Sequence, residues 1–165
     1  MSAAPVAWRQ CPIDIPTEHG TTHLMESHSE KTLLERTFRS SRKNQKEILE
    51  AILESIAESG HDPEQGEKSL YLAVDEALTN AMEHGNHWNA DKRVRIQLNA
   101  GADYLKIFIE DEGDGFDPAF HVTNGTPGKT SKRGRGLRII QQFCTPRWNS
   151  RGDAIEMIFR ARKQQ

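Results

Sequence analysis

Two segments of the chain repeat their apolar residues with the period of an α-helix. In "NQKEILEAILESIAESG", Ile48, Ile52 and Ile56 are four residues apart and fall on one side of a helix. Gly60 follows them, and glycine commonly ends helices. After the polar break "HDPEQGE", the segment "KSLYLAVDEALTNAMEHGN" repeats this period and ends at Gly85. The sequence therefore predicts two amphipathic helices.

Other segments alternate apolar and polar residues, which is the pattern of strands with one buried face. "RVRIQLNA" and "YLKIFIED" are joined by a short turn that contains glycine, and together they predict a β-hairpin. "KTLLERTFRS", from Lys31, predicts an earlier strand, and "AIEMIFRAR" predicts the last one. The inward residues of the hairpin are Val94, Ile96, Leu98, Leu105, Ile107 and Ile109.

Between the hairpin and the last strand, residues 111–136 contain too much Gly and Pro for a regular element and predict a long loop. "LRIIQQFC" follows as a short helix. The predicted order is strand, helix, helix, strand, strand, loop, helix, strand. This order indicates an α/β two-layer sandwich, with a mixed, mostly antiparallel sheet and helices on one face.

The length of 165 residues fits one domain with tails. Residues 1–30 are rich in Pro, Thr, Ser, Glu and His and have no sustained period of either kind. They are expected to form a flexible N-terminal extension, and residues 31–165 to form the domain.

The charge is nearly balanced, with 22 Lys and Arg against 24 Asp and Glu and a net charge of −2. This balance argues against direct binding of nucleic acid or of an anionic membrane, which needs an excess of basic residues. The two cysteines, Cys11 and Cys144, lack metal or redox spacing, and no stretch is apolar enough to cross a membrane. A soluble cytoplasmic protein with reduced thiols is predicted.

Three polar stretches are candidates for chemistry, and the first is "VDEALTNAMEHGN" in the second helix. Glu76, Asn80 and His84 are each four residues apart, and Glu76 and Asn80 project from the side opposite the apolar residues. A polar helix face is most often only a solvent face. A functional role therefore depends on the other two stretches.

The second stretch, "EDEGDGFDP", follows a predicted strand. Asp111 is expected at the strand end, where its carboxylate can accept a hydrogen bond from an exocyclic amine. Gly113 and Gly115 allow a positive φ or a close approach to a ligand. The combination suggests an adenine pocket, although a Gly-Asp turn is also common without any function.

The third stretch, "SKRGRGLRII", places Gly134 and Gly136 immediately before a predicted helix. Free backbone N–H groups at a helix start attract phosphate, and Lys132, Arg133 and Arg135 add positive charge. Taken alone, this basic flank is typical of a solvated surface.

Together the three stretches resemble the N, G1 and G2 boxes of the GHKL ATPase superfamily, over about residues 31–162. The similarity is greatest to the anti-sigma-factor serine/threonine kinases of bacterial partner-switching systems, through "DEALTNAMEHGN", "DEGDGFDP" and "GRGLRII". The resemblance implies a histidine-kinase-like ATPase (Bergerat) fold that holds ATP and Mg²⁺ between the N-box helix and a lid.

The resemblance also implies roles for individual residues. Asn80 is the expected Mg²⁺ ligand, in agreement with the preference of Mg²⁺ for oxygen and phosphate ligands. Glu76 is the expected catalytic base. Asp111 is expected to bind the adenine amine, with Gly113 and Gly115 shaping its pocket.

In the G2 box, the resemblance implies that Gly134 and Gly136 contact phosphates through their backbone and that Leu137 belongs to the same nucleotide-binding segment. Lys132 is the residue chosen to reach the γ-phosphate, with Arg133 as the second choice.

Two residues of this chain fit the family pattern less directly. His84 is expected to have a structural duty at the helix end. The family commonly has Gly-Thr at the start of the last strand, where this chain has Gly152 and Asp153. The added carboxylate of Asp153 can weaken ATP binding or change nucleotide selectivity.

The function implied by the resemblance is a kinase that sequesters a sigma factor and phosphorylates a STAS-domain anti-anti-sigma protein, working as a homodimer. An alternative is a nucleotide-binding sequestration module without phosphoryl transfer. A third, the catalytic domain of a histidine kinase, is disfavoured because His28 lies outside any long heptad pattern.

Overall fold

A computed structural model describes residues 8–10, 30–115 and 132–163, without the side chains of residues 8–10, 132–134 and 163. Its strands are β1 (Trp8–Gln10), β2 (Lys31–Arg39), β3 (His61–Pro63), β4 (Arg93–Ala100), β5 (Tyr104–Asp111), β6 (Thr145–Asn149) and β7 (Ala154–Lys163). Its helices are α1 (Arg42–Ser59), α2 (Glu67–Thr79) and α3 (Lys132–Phe143). A π-helical turn, Asn80–Gly85, continues α2.

Helix α1 has a defined cap at each end. The Ser41 side chain accepts a hydrogen bond from the backbone N–H of Asn44 at 3.1 Å, as expected for an N-cap serine. At the other end Gly60 adopts φ 72°, and its N–H donates to the carbonyl of Ala57. The apolar stripe predicted from the sequence is buried, at Ile48, Leu49, Ile52 and Ile56.

Helix α2 buries Leu70, Val74 and Leu78 against the sheet, as its period predicts. From Asn80 the backbone widens into the π turn, and the N–H of Asn86 donates to the carbonyl of Ala81 at 2.8 Å. The sequence predicts one uninterrupted helix here, so the π turn is a correction. Such turns are frequent at functional sites because they redirect side chains.

The strands follow the order β1-β6-β7-β5-β4-β2, with β3 added beside β7, and every pairing among the described strands is antiparallel. The predicted hairpin is β4 and β5, in which Ile96 is opposite Ile109 and Leu98 is opposite Ile107. These side chains are fully or almost fully buried beneath the helices. The predicted fold class is confirmed.

Three strands, β1, β3 and β6, are not predicted by the sequence pattern. The first two have three residues each, too few for an alternating period to be visible. Strand β1 pairs with β6, with Trp8 opposite Asn149, so part of the N-terminal extension joins the sheet edge. Strand β3 lies in the predicted polar break and pairs with the end of β7.

Helix α3 begins at Lys132, five residues before the segment from which it was predicted. Gly134 and Gly136 therefore lie within the helix, and the expectation that both precede it is wrong. The middle of the predicted loop, residues 116–131, and most of the predicted extension lie outside the described residues. None of the helices that the structure describes is long and apolar enough to span a membrane.

Candidate functional site

A cleft opens where α2 and its π turn face the ends of β5, β6 and β7. It holds about 520 Å³ of empty space, including the part open to solvent. Its lining is apolar on most sides and carries a few polar groups, the usual character of a small-molecule site. The lining residues are Ala77, Asn80, Ala81, His84, Gly85, Ile109, Asp111, Gly115, Leu137, Trp148, Gly152, Asp153, Ala154 and Ile155.

Asp111 ends β5 and carries the carboxylate of this cleft that the sequence predicts to bind a base. Its Oδ1 accepts the N–H of Gly113 at 2.7 Å, and its own N–H donates to the carbonyl of Asp153 at 2.9 Å. Gly85 packs directly on the carboxylate, since a Cβ at position 85 would lie only 2.5 Å from Asp111 Oδ2. A side chain at position 85 would displace the carboxylate.

Burial raises the pKa of Asp111 to about 6. The hydrogen bond from the Gly113 N–H and the charge of Lys92 oppose this rise, whereas the charges of Asp153 and Glu110 add to it. At pH 7 and above the side chain is mainly ionised and accepts hydrogen bonds. A ligand amine is therefore a suitable donor to it.

Gly113 and Gly115 follow Asp111 and are held against neighbouring backbone. A Cβ on Gly113 would overlap the carbonyl of Gly85, and a Cβ on Gly115 would overlap the carbonyl of Arg151. Gly115 also adopts φ 76°, which disfavours any other residue. Both positions need glycine for close backbone packing around Asp111.

Glu76 and Asn80 are half-buried neighbours one helical turn apart. Helix α3 packs over them through Gly136, where a Cβ would lie 2.5 Å from Glu76 Oε2 and 3.7 Å from Asn80 Nδ2. Burial is the main cause that raises the pKa of Glu76, and the nearby Asp75 adds to it, while the charge of Arg135 lowers it. The structure thus brings the first and third sequence stretches into contact.

The donor groups suit a cation that takes most of its ligands from elsewhere. Among the described residues, no group of three or more His, Cys, Asp or Glu side chains could hold a metal ion. Asn80 supplies one amide oxygen at the cleft wall. Mg²⁺ accepts such a single protein ligand when phosphate oxygens and water complete its octahedron.

The remaining G2-box residues lie at the start of α3. Lys132, Arg133 and Gly134 form its first turn, where backbone N–H groups lack partners within a helix. The side chains of Lys132 and Arg133 lie outside the described residues, so their predicted contact with a phosphate stays a prediction. Gly136 lies in the second turn, against Glu76 and Asn80.

Other cleft residues were missed by sequence reasoning or given a different role. Trp148 lies on the unpredicted strand β6, is 3% exposed and lines the cleft. His84, expected to be structural, also lines it. Leu137, which the sequence predicts as part of the nucleotide-binding segment, is buried and lines the cleft from α3. In the sequence, Trp148 could have been recognised as a cleft residue only from its position directly before the turn into β7, which contains Asn149 and Gly152.

Asn86 joins the π turn to the rest of the site and is fully buried. Its Nδ2 donates to Ser40 Oγ and to the Arg93 carbonyl, both at 2.9 Å, and its Oδ1 accepts the N–H of Glu112 at 2.9 Å. These bonds tie the end of the π turn to the residue after Asp111. They therefore fix the distance between the π turn, on one side of the cleft, and the end of β5, on the other side.

The chain is similar to several known proteins. A family model described as "Histidine kinase-like ATPase domain" matches residues 39–158. The serine-protein kinase RsbW of Bacillus subtilis (strain 168) is 38% identical over 50 residues, which are 30% of this chain and only 31% of that protein. The structure of the mycobacterial sensor histidine kinase MprB is similar at 20% identity and a TM-score of 0.44, over 59% of this chain and 73% of that one. Because the family model spans most of its length, the chain belongs to the histidine kinase-like ATPase domain family of the GHKL superfamily.

Proposed function

We propose that the protein is an ATP-dependent serine/threonine-protein kinase that also acts as an anti-sigma factor. The observation that carries the proposal is the contact of Gly136 with both Glu76 and Asn80, beside a cleft that contains Asp111. The contact brings Glu76, the proposed proton acceptor, next to Asn80, the proposed cation ligand, and Asn80 lines the same cleft as Asp111, the proposed base-binding carboxylate. These are the groups that phosphoryl transfer from a nucleotide requires.

Asp111 binds the base in this proposal. Its carboxylate accepts a hydrogen bond from the exocyclic amine of adenine, and the apolar walls formed by Ile109, Leu137 and Trp148 exclude water from the ring. Gly85 leaves the space in which the carboxylate lies. A base with a carbonyl oxygen in place of the amine would face another acceptor and bind more weakly.

Asn80 holds the cation that accompanies the nucleotide. Bound Mg²⁺ would supply charge neutralisation for the phosphates. Asn80 lines the cleft and lies beside Gly136 of α3, and the N–H groups of the first turn of this helix, which have no partner within the helix, would bind phosphate oxygens. Lys132 or Arg133 would then reach the γ-phosphate.

Glu76 accepts the proton in the reaction. The γ-phosphoryl group passes from ATP to the oxygen of a serine or threonine hydroxyl, its bond to the β–γ bridging oxygen breaks and ADP leaves, while the hydroxyl proton passes to a carboxylate oxygen of Glu76. Burial raises the pKa of Glu76, so its carboxylate is a stronger base than an exposed one. Helix α3 covers part of this carboxylate through Gly136.

The substrate and partners are proposed from the local sequence likeness. The relative with 38% identity over 50 residues is named a serine-protein kinase, and "DEALTNAMEHGN" resembles the anti-sigma kinases. We therefore expect a STAS-domain anti-anti-sigma protein as the phosphorylated partner and a sigma factor as the sequestered one. The protein would work in the cytoplasm as a homodimer, without direct contact with nucleic acid or membrane.

An alternative function is a nucleotide-holding module that sequesters its partner without transferring phosphate. The alternative rests on the buried Asp153, because a second carboxylate near Asp111 opposes binding of phosphates wherever its charge is not compensated. Such a module would bind nucleotide and partner but would leave the partner unmodified.

Calorimetric titration of Mg-ATP into the wild-type protein, Asp111→Asn and Asn80→Ala tests the nucleotide site first. We expect binding by the wild type and at least tenfold weaker binding by both variants, as for loss of a buried charged hydrogen bond or a metal ligand. A folded wild-type protein that does not bind Mg-ATP would contradict both functions.

Phosphate transfer then separates the kinase from the sequestration module. Serine-containing STAS-domain proteins are incubated with ATP labelled at the γ-phosphate and with wild type, Glu76→Gln or the control Glu83→Gln. We expect labelled partner with wild type and with Glu83→Gln, and a loss of 10²-fold or more with Glu76→Gln. Binding without labelling by the wild type supports the module instead.

A further inference from the structure

The turn between β6 and β7 is built around the side chain of Asn149. Its Oδ1 accepts the backbone N–H groups of Gly152, Asp153 and Ala154 at 2.7, 3.2 and 3.3 Å. Its Nδ2 donates to Asp153 Oδ1 at 2.5 Å. Asn149 is 7% exposed, so these bonds are shielded from water and hold the turn in one conformation.

Asp153 is a buried carboxylate with both oxygens occupied. Oδ1 is held by Asn149, and Oδ2 is paired with Arg151 Nη2 at 2.9 Å. The two partners differ in exposure, since the side chain of Asp153 is 7% exposed and that of Arg151 is 69% exposed. Arg151 therefore covers the acid from the solvent side and supplies its counter-charge.

Arg151 also contacts the glycine segment after β5. Its Nη2 lies 3.4 Å from the carbonyl of Gly113, and its own carbonyl lies against Gly115. One residue thus touches both the acid of the β6–β7 turn and the segment that surrounds Asp111. We call the set Asn149, Arg151 and Asp153 the acid clasp.

The acid clasp lies beside the base-binding carboxylate. The backbone N–H of Asp111 donates to the carbonyl of Asp153, and both residues line the cleft. The negative charge of Asp153 raises the pKa of Asp111, as does Glu110, while Lys92 lowers it. His84 faces the same cleft from the π turn. Ionisation of two neighbouring carboxylates costs free energy unless a nearby cation compensates their charge.

Building on the proposed function, we infer that Arg151 is a positioning residue of the nucleotide site. It neutralises Asp153 through its pairing with Oδ2, so that Asp111 remains the ionised acceptor for an exocyclic amine. The clasp makes a second acid at position 153 compatible with binding a 6-aminopurine nucleotide. Arg151 acts through Asp153 and does not itself contact the base.

The effect of Arg151→Ala on Mg-ATP binding should therefore depend on which residue is at position 153. With Asp153 present, loss of the arginine leaves a second uncompensated charge beside Asp111, and Asp111 should protonate at higher pH. With Asp153→Asn, which keeps an oxygen for Asn149, the arginine has no charge to compensate. A purely structural role of Arg151 would weaken binding equally in both backgrounds.

The test uses the full chain as wild type, Arg151→Ala, Asp153→Asn and the double variant, with Arg162→Ala as control. Arg162 is also exposed and paired with an acid, Glu64, at 3.5 Å, but it lies at the far end of β7 from the cleft. Mg-ATP affinity is measured by calorimetry at pH 6 and pH 8. The titration of the Asp111 carboxyl is followed by NMR without nucleotide.

We expect Arg151→Ala to bind Mg-ATP roughly three- to tenfold more weakly at pH 6 and to recover most of that loss at pH 8, where Asp111 is ionised. The double variant should bind like Asp153→Asn, and Arg162→Ala like the wild type. The Asp111 titration should move to higher pH in Arg151→Ala alone.

An unchanged Asp111 titration in Arg151→Ala, or equal losses of affinity with and without Asp153, would overturn the inference. The titration is independent of the proposed function. A wild type that fails to bind Mg-ATP would remove the kinase proposal, while the NMR comparison would still decide whether Arg151 controls the ionisation of Asp111.

Discussion

Gly136 of α3 lies directly against Glu76 of α2, so that a Cβ at position 136 would come within 2.5 Å of the carboxylate oxygen Oε2. The two residues are 60 positions apart in the sequence, and their contact lies next to Asn80 and Leu137, which line the cleft. The atom that a Cβ would meet is the tip of a flexible side chain. Substitution of Gly136 should therefore move Glu76 before it disturbs the fold.

Gly136→Ala should lower phosphate transfer without lowering the stability of the fold. Alanine is favoured over glycine inside a helix by about 1 kcal/mol, so the free energy of unfolding should stay equal or rise slightly. Displacement of Glu76 should lower phosphate transfer at least tenfold, since small errors in the position of a catalytic group have large effects. Urea denaturation and a labelled-phosphate assay measure the two quantities.

Arg138→Ala is the matched control for this prediction, because Arg138 is exposed on the same helix. It should change neither quantity by much. A Gly136→Ala protein that transfers phosphate at the wild-type rate would show that the Glu76 carboxylate needs no contact with α3.

Gly85→Ala should remove nucleotide binding by displacing Asp111. The new Cβ would lie 2.5 Å from Oδ2, and the carboxylate has little room to turn because Oδ1 already accepts the N–H of Gly113. We expect Mg-ATP affinity to fall at least tenfold by calorimetry, with the π turn still folded.

The control for Gly85→Ala is Gly66→Ala, which should lower stability and leave nucleotide binding unchanged. Gly66 adopts φ 82° and has open space around its Cβ position, so alanine there is strained but contacts nothing. It should lower the free energy of unfolding by roughly 1–3 kcal/mol and leave Mg-ATP binding unchanged. Equal binding losses in both variants would point to a general loss of stability.

Asp111→Asn should stabilise the protein at high pH. Burial raises the pKa of Asp111 from 3.8 to about 6, so the folded state binds this proton more tightly than the unfolded chain. The stability linked to protonated Asp111 is present below about pH 4 and is lost as the pH rises through 6. The asparagine variant carries no such proton and avoids the loss.

The expected gain of Asp111→Asn over the wild type at pH 8 is on the order of 1–2 kcal/mol, allowing for partial screening by solvent. The gain should disappear near pH 4. Urea denaturation of both proteins at pH 4, 6 and 8 measures it. A difference that does not depend on pH would mean that ionisation of Asp111 costs the fold nothing.

The parts of the fold that sequence analysis predicted correctly depend on local periods. The stripe Ile48, Ile52 and Ile56 and the alternation in β4 and β5 are visible because each segment buries one face. Glu76, Asn80 and Asp111 are recognisable because their motifs are short and contiguous. Asn80 and Asp111 line one cleft, and Glu76 lies one helical turn from Asn80, beside Gly136. This arrangement follows from the topology and is not visible in any one segment.

The parts that were missed depend on contacts between distant residues. The π turn ends where Asn86 forms hydrogen bonds with Ser40, Arg93 and Glu112. These bonds do not change the spacing of apolar residues from which the helix is predicted. The substitution at Asp153 was visible in the sequence, but its pairing with Arg151 and its backbone bond to Asp111 were not. Three-residue strands are likewise too short to be detected.

Asn86→Ala should destabilise the protein more than any surface change near the site. Asn86 is fully buried, and its side chain makes three hydrogen bonds whose partners would lose them. Unsatisfied buried groups cost about 1–3 kcal/mol each, so we expect a loss of roughly 2–4 kcal/mol in urea denaturation. Asn89→Ala, which removes one exposed bond to the Asp91 N–H, should cost less than about 0.5 kcal/mol. Similar losses in the two variants would mean that water replaces the partners of Asn86 and that its bonds do not hold the π turn against β5.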